Sequence, residues 1–537
     1  TLFTSNKIYY EILVEASPAG NGTIMEFGFA PDNYTGSRLA GGVKDALSAR
    51  PGHTATTGTQ AGVVNHGVCV DRSYSLCYYD GASSVAVPVT GFSVGDIIQC
   101  AFDPATGKFW YGLNNTWFGT GGTGNPATGA YPLVTLTNLD HTWSPNVGCY
   151  YATGIMVLNF GQDGTFAGNK SAGGNADDNG YGNFKYDVPA GFLSLCSKNL
   201  TDCAITPSEH FNIKLYDDGA GAKTGVGFQP DLVWLKARAD AADHKLTDAV
   251  RGVTKALSSN NVALEATDST GLTAFGSDGF TVGAGSQYNS TTGDGMVAWC
   301  WKVGGAGSAN NDGQINTTST SVNQDAGISI SLYAGNASGV QTVGHGLSQA
   351  PELVIIKDQD GGGAWQVGSD KALGMDWTDA IYLNDATSAS DYLDWWNDTA
   401  PTASVVTLGG NGYNNGSGDN FIMYCFHSVE GYSKVGGYTG NGNADGAFVY
   451  CGFRPKFVLF KRRNGSDWKI HDAARNTYNP ANKFLWPNST QIESTTDVDI
   501  LSNGFKQLTT GNGYNGSGQN YLFMAFAETP FKNANAR

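Results

Sequence analysis

Cleavage of a glycosidic bond needs two carboxylates about 5–9 Å apart across the sugar, so paired acids in this sequence are weighed first. Glu11 and Glu15 come nearest on one strand, in Lys7-Ile8-Tyr9-Tyr10-Glu11-Ile12, but their neighbours are apolar. Asp358 and Asp360 alternate within a Gly-rich turn that offers no third partner. No Gly-x-Ser-x-Gly elbow follows a strand, and the eight histidines are scattered. Strings such as Gly409-Gly410-Asn411-Gly412 lack the strand-to-helix context and downstream acid of a nucleotide loop, and read as hairpin turns. These patterns point away from an enzyme, with a glycan-degrading activity as the remaining catalytic alternative.

Binding chemistry is better represented. The runs Asn175-Ala176-Asp177-Asp178-Asn179-Gly180 and Asn441-Gly442-Asn443-Ala444-Asp445-Gly446 place oxygen-bearing side chains before a glycine. Calcium could use such oxygens, but both runs lack a terminal bidentate Glu and read first as solvated turns, so no cofactor is expected. Loop aromatics are the stronger candidates: Tyr78, Tyr79, Asp80, Asn114 and Trp117 near the start, then Tyr288-Asn289, Tyr413-Asn414 and Tyr514-Asn515. A flat ring accepts the C–H face of a sugar while the neighbouring amide or acid takes its hydroxyls. The competing reading is that each Tyr fills a gap between neighbouring modules. Three strand-ending lysines, Lys236, Lys357 and Lys461, face the same choice. Asp248 with Arg251, Asp472 with Arg475, and Asp370 without an arginine suggest a structural salt bridge inside each module.

These residues recur because the segments that carry them recur. Gly227-Phe228-Gln229-Pro230 leads into Asp231-Leu232-Val233-Trp234-Leu235-Lys236, and Gly452-Phe453-Arg454-Pro455 into Lys456-Phe457-Val458-Leu459-Phe460-Lys461. Gly346-Leu347 followed by Pro351-Glu352-Leu353-Val354-Ile355-Ile356-Lys357 is a looser copy. Each copy closes through a Tyr-Asn turn into an apolar strand. Phe228 to Trp301 spans 73 residues, Leu347 to Phe426 spans 79, and Phe453 to Phe526 spans 73. Near-constant spacing with drifting side chains predicts tandem copies of one folding unit, an arrangement commoner in binding and scaffolding proteins than in enzymes.

A chain of 537 residues exceeds one hydrophobic core. Glycine at 74 residues, aromatics at 12% and short Val/Ile/Thr/Tyr runs predict strands joined by tight turns. The net charge of −16 repels phosphate, which excludes nucleic acid as an expected partner. Nine cysteines show no Cys-x-x-Cys pair, and Cys100, Cys300 and Cys425 sit inside apolar runs, which suits assembly in a reducing cytoplasm. No apolar stretch reaches 18 residues, so no membrane insertion is expected. Thr1-Leu2-Phe3 shows neither an initiator Met nor a signal peptide, from which a cleaved or separate preceding segment is expected.

The predicted organisation is all-β: a sandwich over 1–167, a linker and packed bridge over 168–204, and modules at 205–304, 326–430 and 431–537. A linker is predicted over 305–325. Within the sandwich, strands are predicted at Ile24–Phe29, Ile97–Phe102, Lys108–Leu113 and Ile155–Phe160, with a hairpin at Asp103-Pro104-Ala105-Thr106-Gly107. Helical signal is weak, strongest over Asp243–Ala256 and next over Ser388–Trp396.

The first unit resembles a SPRY domain, a concanavalin-like jelly-roll sandwich. The resemblance rests on Lys7-Ile8-Tyr9-Tyr10-Glu11, Phe27-Gly28-Phe29-Ala30, Tyr78-Tyr79-Asp80-Gly81, Gly95-Asp96-Ile97-Ile98-Gln99-Cys100-Ala101-Phe102-Asp103, Lys108 to Trp117, and Asn159-Phe160-Gly161-Gln162 with Phe166, in the family's order. It covers roughly 30% of the chain. Asn115 stands where that family usually has Gly, and Asn tolerates left-handed backbone. The resemblance implies a protein- or glycan-binding module. The bridge Phe184 to Leu200 and the Gly-Phe-x-Pro repeats resemble virion proteins of tailed bacteriophages. What that implies is a tail-fibre or tail-tip protein on the virion surface, touching other virion proteins and a host-surface glycan or protein. A homo-oligomer, a trimer for preference, is expected because linked weak sites gain effective concentration. The alternative is a decorating or capsid-fibre protein whose loop aromatics are covered.

Overall fold

The computed structural model describes residues 6–16, 25–31, 67–71, 75–80, 83–88, 92–137, 139, 143–149, 154–200, 202–290 and 295–533. They form almost nothing but antiparallel β-sheet, in two compact units, residues 1–200 and 201–537. Among the described residues no helix is long and apolar enough to cross a membrane.

The first unit is a two-sheet sandwich. One sheet runs in the order Ile155–Asn159, Ile8–Ala16, Ile97–Asp103, Lys108–Leu113, Thr116–Gly119, Gly122–Thr123. The other runs Trp143–Cys149, Met25–Pro31, Val68–Asp71, Leu76–Tyr79, Ser83–Ala86. Between them Tyr10, Ile12, Phe27, Phe29, Phe102 and Trp143 form the core. The turn after Asp103 ends at Gly107, whose φ of +71° and closeness to the Leu136 carbonyl exclude a side chain. Asn115 does take left-handed backbone, with φ +67°.

Strand Ile8–Ala16 is buried on both faces from Ile8 to Val14, which explains why apolar residues fill both of its sides around Glu11. Its second face is covered by the stretch read as a packed bridge. Phe184 and Phe192 pack on Tyr9 and Trp110, and Leu193 exchanges backbone hydrogen bonds with Lys7 and Tyr9. The stretch 168–200 is therefore part of the first unit, and Asp177 within it is buried. The polar composition misled because Asp177 accepts hydrogen bonds from Ser194, Asn199, Asn179 and Tyr181, satisfying buried groups inside the protein.

Glu11 holds this cover in place. Its carboxylate accepts from Tyr9 Oη, Asn159 Nδ2 and the backbone N–H groups of Lys185 and Tyr186, at 2.8–3.1 Å. Burial raises its pKa, while these four donors work in the opposite direction. Glu11→Ala leaves the donors unsatisfied and is expected to cost about 2–3 kcal/mol. Hydrogen exchange at Lys185 and Tyr186 should speed up ahead of the sandwich core.

The second unit contains three repeats with one strand order. The main sheets share the sequence opening strand, closing strand, lysine strand, outer strand. These are Phe211–Tyr216, Met296–Trp301, Leu232–Ala237, Lys245–Asp248; then Ile328–Ala334, Asn420–Phe426, Leu353–Asp358, Gln366–Gly368; then Ser433–Thr439, Asn520–Pro530, Phe453–Arg462, Lys469–Asp472. Each main sheet is backed by a small sheet of two or three strands.

Alternation along the strands splits the side chains between two cores. Val233, Leu235, Ala298 and Cys300 face the first repeat's own small sheet. Val354, Ile356, Met423 and Cys425 do the same in the second, and Val458, Phe460, Phe523 and Ala525 in the third. The intervening residues, Trp234, Trp299, Ile355, Tyr424, Leu459 and Met524 among them, meet in one common core. The repeats are thus fused around a shared centre and are not separate modules on a string. The 305–325 linker fails for the same reason: Thr317–Asn323 is a strand paired with Ile328–Ala334. Neither expected helix forms in full. Lys245–Asp248 and Lys255–Ala256 are strands, and only Leu393–Trp396 is helical.

Equivalent hydrogen bonds link each repeat to the next. The amide of Glu265 donates to Gln359 O, that of Ala389 to Arg463 O, and that of Glu493 to Arg238 O, at 2.7–2.8 Å. All three acceptors lie two residues beyond the strand-ending lysine. Trp365 Nε1 donates to Ser258 O and Trp468 Nε1 to Tyr382 O. In the third place stands His244, whose Nδ1 accepts from Trp234 and whose ring lies beside the Trp486 carbonyl without completing a normal hydrogen bond to it. The ring is closed within one chain, as an internal pseudo-three-fold.

Candidate functional site

The lysines and acids weighed in the sequence for chemistry are engaged in holding the fold. Lys236 Nζ donates to the carbonyls of Ala237 and Asp240, Lys357 Nζ to Asp358 and Gly361, and Lys461 Nζ to Asp385 and Ser466. Burial lowers each ammonium to about 8. The expected salt bridges exist without the lysines. Arg251 pairs with Asp248 and Arg475 with Asp472, both at 2.6 Å and fully buried.

Register corrects the assignment in the second repeat. Leu232 lies opposite Asp248 and Phe457 opposite Asp472, while Val354 lies opposite Gly368. The equivalent residue is therefore Ser369, and Asp370 is exposed beside Lys371. Three residues further on, Ala372 replaces the arginine, and Ala389 stands where Glu265 and Glu493 complete the cluster. The neighbouring repeats follow suit. Tyr424 Oη donates to Asp248 and Trp299 Nε1 to Asp472, but the matching donor position facing the second repeat is Met524. Removing all members of a buried polar cluster together avoids the cost of an orphaned charge.

Of the candidate acids, Glu11 and Asp358 are buried. Asp358 accepts from the amides of Asp360 and Gly361, and Asp360 from Asn420. In the expected calcium runs Asp177 is saturated by protein donors, Asp178 accepts from Gly191 N, and Asp445 pairs with Lys506. Among the described residues no three His, Cys, Asp or Glu side chains converge as metal ligands. Cys69, Cys77, Cys100, Cys196, Cys203, Cys300, Cys425 and Cys451 are free thiols.

The loop aromatics divide. Tyr78 is buried and Tyr79 half-buried. Asp80 accepts from Thr137, Asn114 donates to Asp96, and Trp117 packs on Tyr9. Tyr288 and Tyr514 belong to the inner cores of their repeats, so neither ring can stack on a sugar. Asn289 and Asn515 are also buried, donating to loop carbonyls. Packing inside the repeat explains these positions.

Tyr413 is different, with 52% of its surface exposed. Tyr216 Oη donates to Tyr288 O and Tyr438 Oη to Tyr514 O, but the equivalent Tyr333 Oη donates to Asn414 O. Asn415, not Asn414, repeats the contacts of Asn515 with the amide of Asn336 or Asn441. The additional Asn in Tyr413-Asn414-Asn415 shifts the turn by one residue, so Asn414 takes the interior place and Tyr413 is expelled. Around it stand Tyr382, Tyr392 and Trp395, which the sequence reading missed. The six extra residues of the second copy, together with the cluster Tyr392-Leu393-Asp394-Trp395-Trp396, were the available signal.

Burial lowers the pKa of His471 to about 3, with Arg475 and Lys469 adding to the effect. Its Nδ1–H donates to Ala481 O, and Nε2 has no partner among the rings of Phe460, Phe484 and Tyr514. Below pH 6.5 the unfolded chain binds a proton that the folded one refuses, so stability falls as pH drops from 6.5 towards 3. Between pH 7 and 4.5 this histidine is expected to remove about 2 kcal/mol. Urea unfolding at the two pH values should show the slope, and His471→Gln should reduce it by that amount, leaving the smaller dependence due to His210, His244 and His345, which burial also lowers.

A family model described as Domain of unknown function (DUF7483) matches residues 206–530, the span of all three repeats. No curated protein matches the chain.

Proposed function

The chain belongs to the family described as Domain of unknown function (DUF7483), whose model spans the fused repeats. From the resemblance of the bridge and repeats to tailed-bacteriophage virion proteins, we propose a non-enzymatic appendage of a bacteriophage virion. Its work is adhesion, as a tail-fibre or tail-tip protein meeting a host-surface glycan or protein. It is displayed on the virion surface after assembly in the host cytoplasm, beside other virion proteins, as a homo-oligomer for which a trimer is favoured.

The observation that carries this reading is the contrast within the second unit. The strand-ending lysines, Asp248 and Asp472, and Tyr288 and Tyr514 are occupied in packing the repeats, while among the described residues Tyr392 and Tyr413 beside Trp395 are left at the surface. A rigid scaffold presenting preformed aromatic groups suits recognition, because little conformational freedom is lost on binding. The SPRY-like order of segments in the first unit supports the same class of function, since that resemblance implies a binding module.

The test is binding of the purified full chain to bacterial surface glycans and to outer-membrane proteins displayed on one array. Saturable binding to either class is the expected result. A blank against both contradicts adhesion.

A further inference from the structure

Resting on the adhesion reading, we infer that the second repeat carries a platform for a neutral sugar, formed by Tyr392, Tyr413 and the edge of Trp395, with Tyr382 behind them. Tyr392 and Tyr413 are 43% and 52% exposed, whereas Trp395 between them is only 5% exposed. The Tyr413 ring lies within 27° of parallel to Trp395 at 6.3 Å, and Tyr392 meets it edge-on at 6.1 Å. Tyr382 closes the far side at 6.0 Å.

The rings are held before any ligand arrives. The Trp395 carbonyl accepts from both the Gly409 amide and Asn414 Nδ2, which ties the short helix to the Tyr413 turn. Gln366 Nε2 donates to Tyr413 O at 2.6 Å, and the amide of Tyr392 donates to Thr378 O. The Tyr413 ring rests against Gly363, where a Cβ would come within 2.7 Å of it.

Two features select a sugar as the occupant. Trp395 Nε1 is buried and turned towards the Tyr382 hydroxyl, so the two side chains bring a polar N–H and O–H to the back of the rings. Asp391 and Asp394 are exposed on the same turn, giving acceptors for hydroxyl groups and repelling anionic ligands. Flat apolar rings bordered by acceptors and polar donors match the C–H face and hydroxyl edge of an uncharged pyranose. Neither sister repeat repeats the cluster, because Tyr288 and Tyr514 point inward. Among the described residues of the three repeats, one such site follows.

The test uses the full chain and neutral hexasaccharides of glucose, mannose, galactose and N-acetylglucosamine, followed by tryptophan fluorescence. At least one should saturate, and Tyr413→Ala and Tyr392→Ala should each weaken it tenfold or more. Tyr478→Ala, whose ring is 74% exposed in the third repeat, should leave it unchanged. Binding that survives the Tyr392→Ala/Tyr413→Ala double variant overturns the platform and leaves glycan adhesion standing. No saccharide binding, with protein receptors still bound on the array, overturns the platform alone. No binding to either class overturns both.

Discussion

Asp472→Ala should destabilise the second unit by about 3–5 kcal/mol, the range for breaking a buried ion pair from one side. Asp472 accepts from Arg475 Nε, from the backbone N–H groups of Ala474 and Arg475, and from Trp299 Nε1 of the first repeat. Truncation removes the Nε partner of the guanidinium and leaves Glu493, at 3.2 Å, as its remaining carboxylate in a buried site. The second repeat shows how the loss is tolerated, since Ser369 and Ala372 stand there in place of the acid and the arginine. The double variant Asp472→Ser/Arg475→Ala should therefore be more stable than Asp472→Ala alone, recovering roughly half of the loss. Asp370→Ala, in the exposed residue, should change stability by less than about 0.5 kcal/mol. Chemical denaturation of the four proteins ranks these effects directly.

Phe526→Ala should cost a similar amount, about 3–5 kcal/mol, through the cavity it leaves. The ring is buried and stacks on Phe211 of the first repeat at 5.1 Å. It also meets Trp301 of the first repeat, Phe426 of the second, and Tyr432 and Phe457 of the third, at 5.6–6.2 Å. With three repeats converging on one side chain, collapse of any one of them cannot fill the space. The loss should appear as a lower denaturation midpoint for the whole second unit, with no early transition confined to the third repeat.

Strands were legible in the sequence because their period is short and local. Leu232-Val233-Trp234-Leu235 and Phe457-Val458-Leu459-Phe460 announce buried strands, and the recurrence of such runs announced the repeats. That both faces of each run are apolar was also visible, but not what the second face meets. A single sequence does not distinguish contact with a small backing sheet from contact with two sister repeats. Asp370 and Tyr413 misled for a related reason. Each was matched by residue type, whereas the fold matches by register, which brings Ser369 opposite Leu353 and seats Asn414 in the core. The 168–182 stretch looked like linker because its polar side chains are satisfied by one another, and composition does not reveal a partner. Asp243–Ala256 was misread as helix for want of its strand neighbour, Leu232–Ala237. The Trp395 cluster lay in the second copy alone, the one longer than its sisters by six residues, where the repeat pattern offers no template.

That the three repeats form a single cooperative body is tested most directly by native-state hydrogen exchange of the full chain in low denaturant. The slowest amides of Leu232–Ala237, Leu353–Asp358 and Phe453–Arg462 should converge on one opening free energy and one denaturant dependence. Three distinct opening energies, with one repeat exchanging while the other two stay protected, would contradict the fused core.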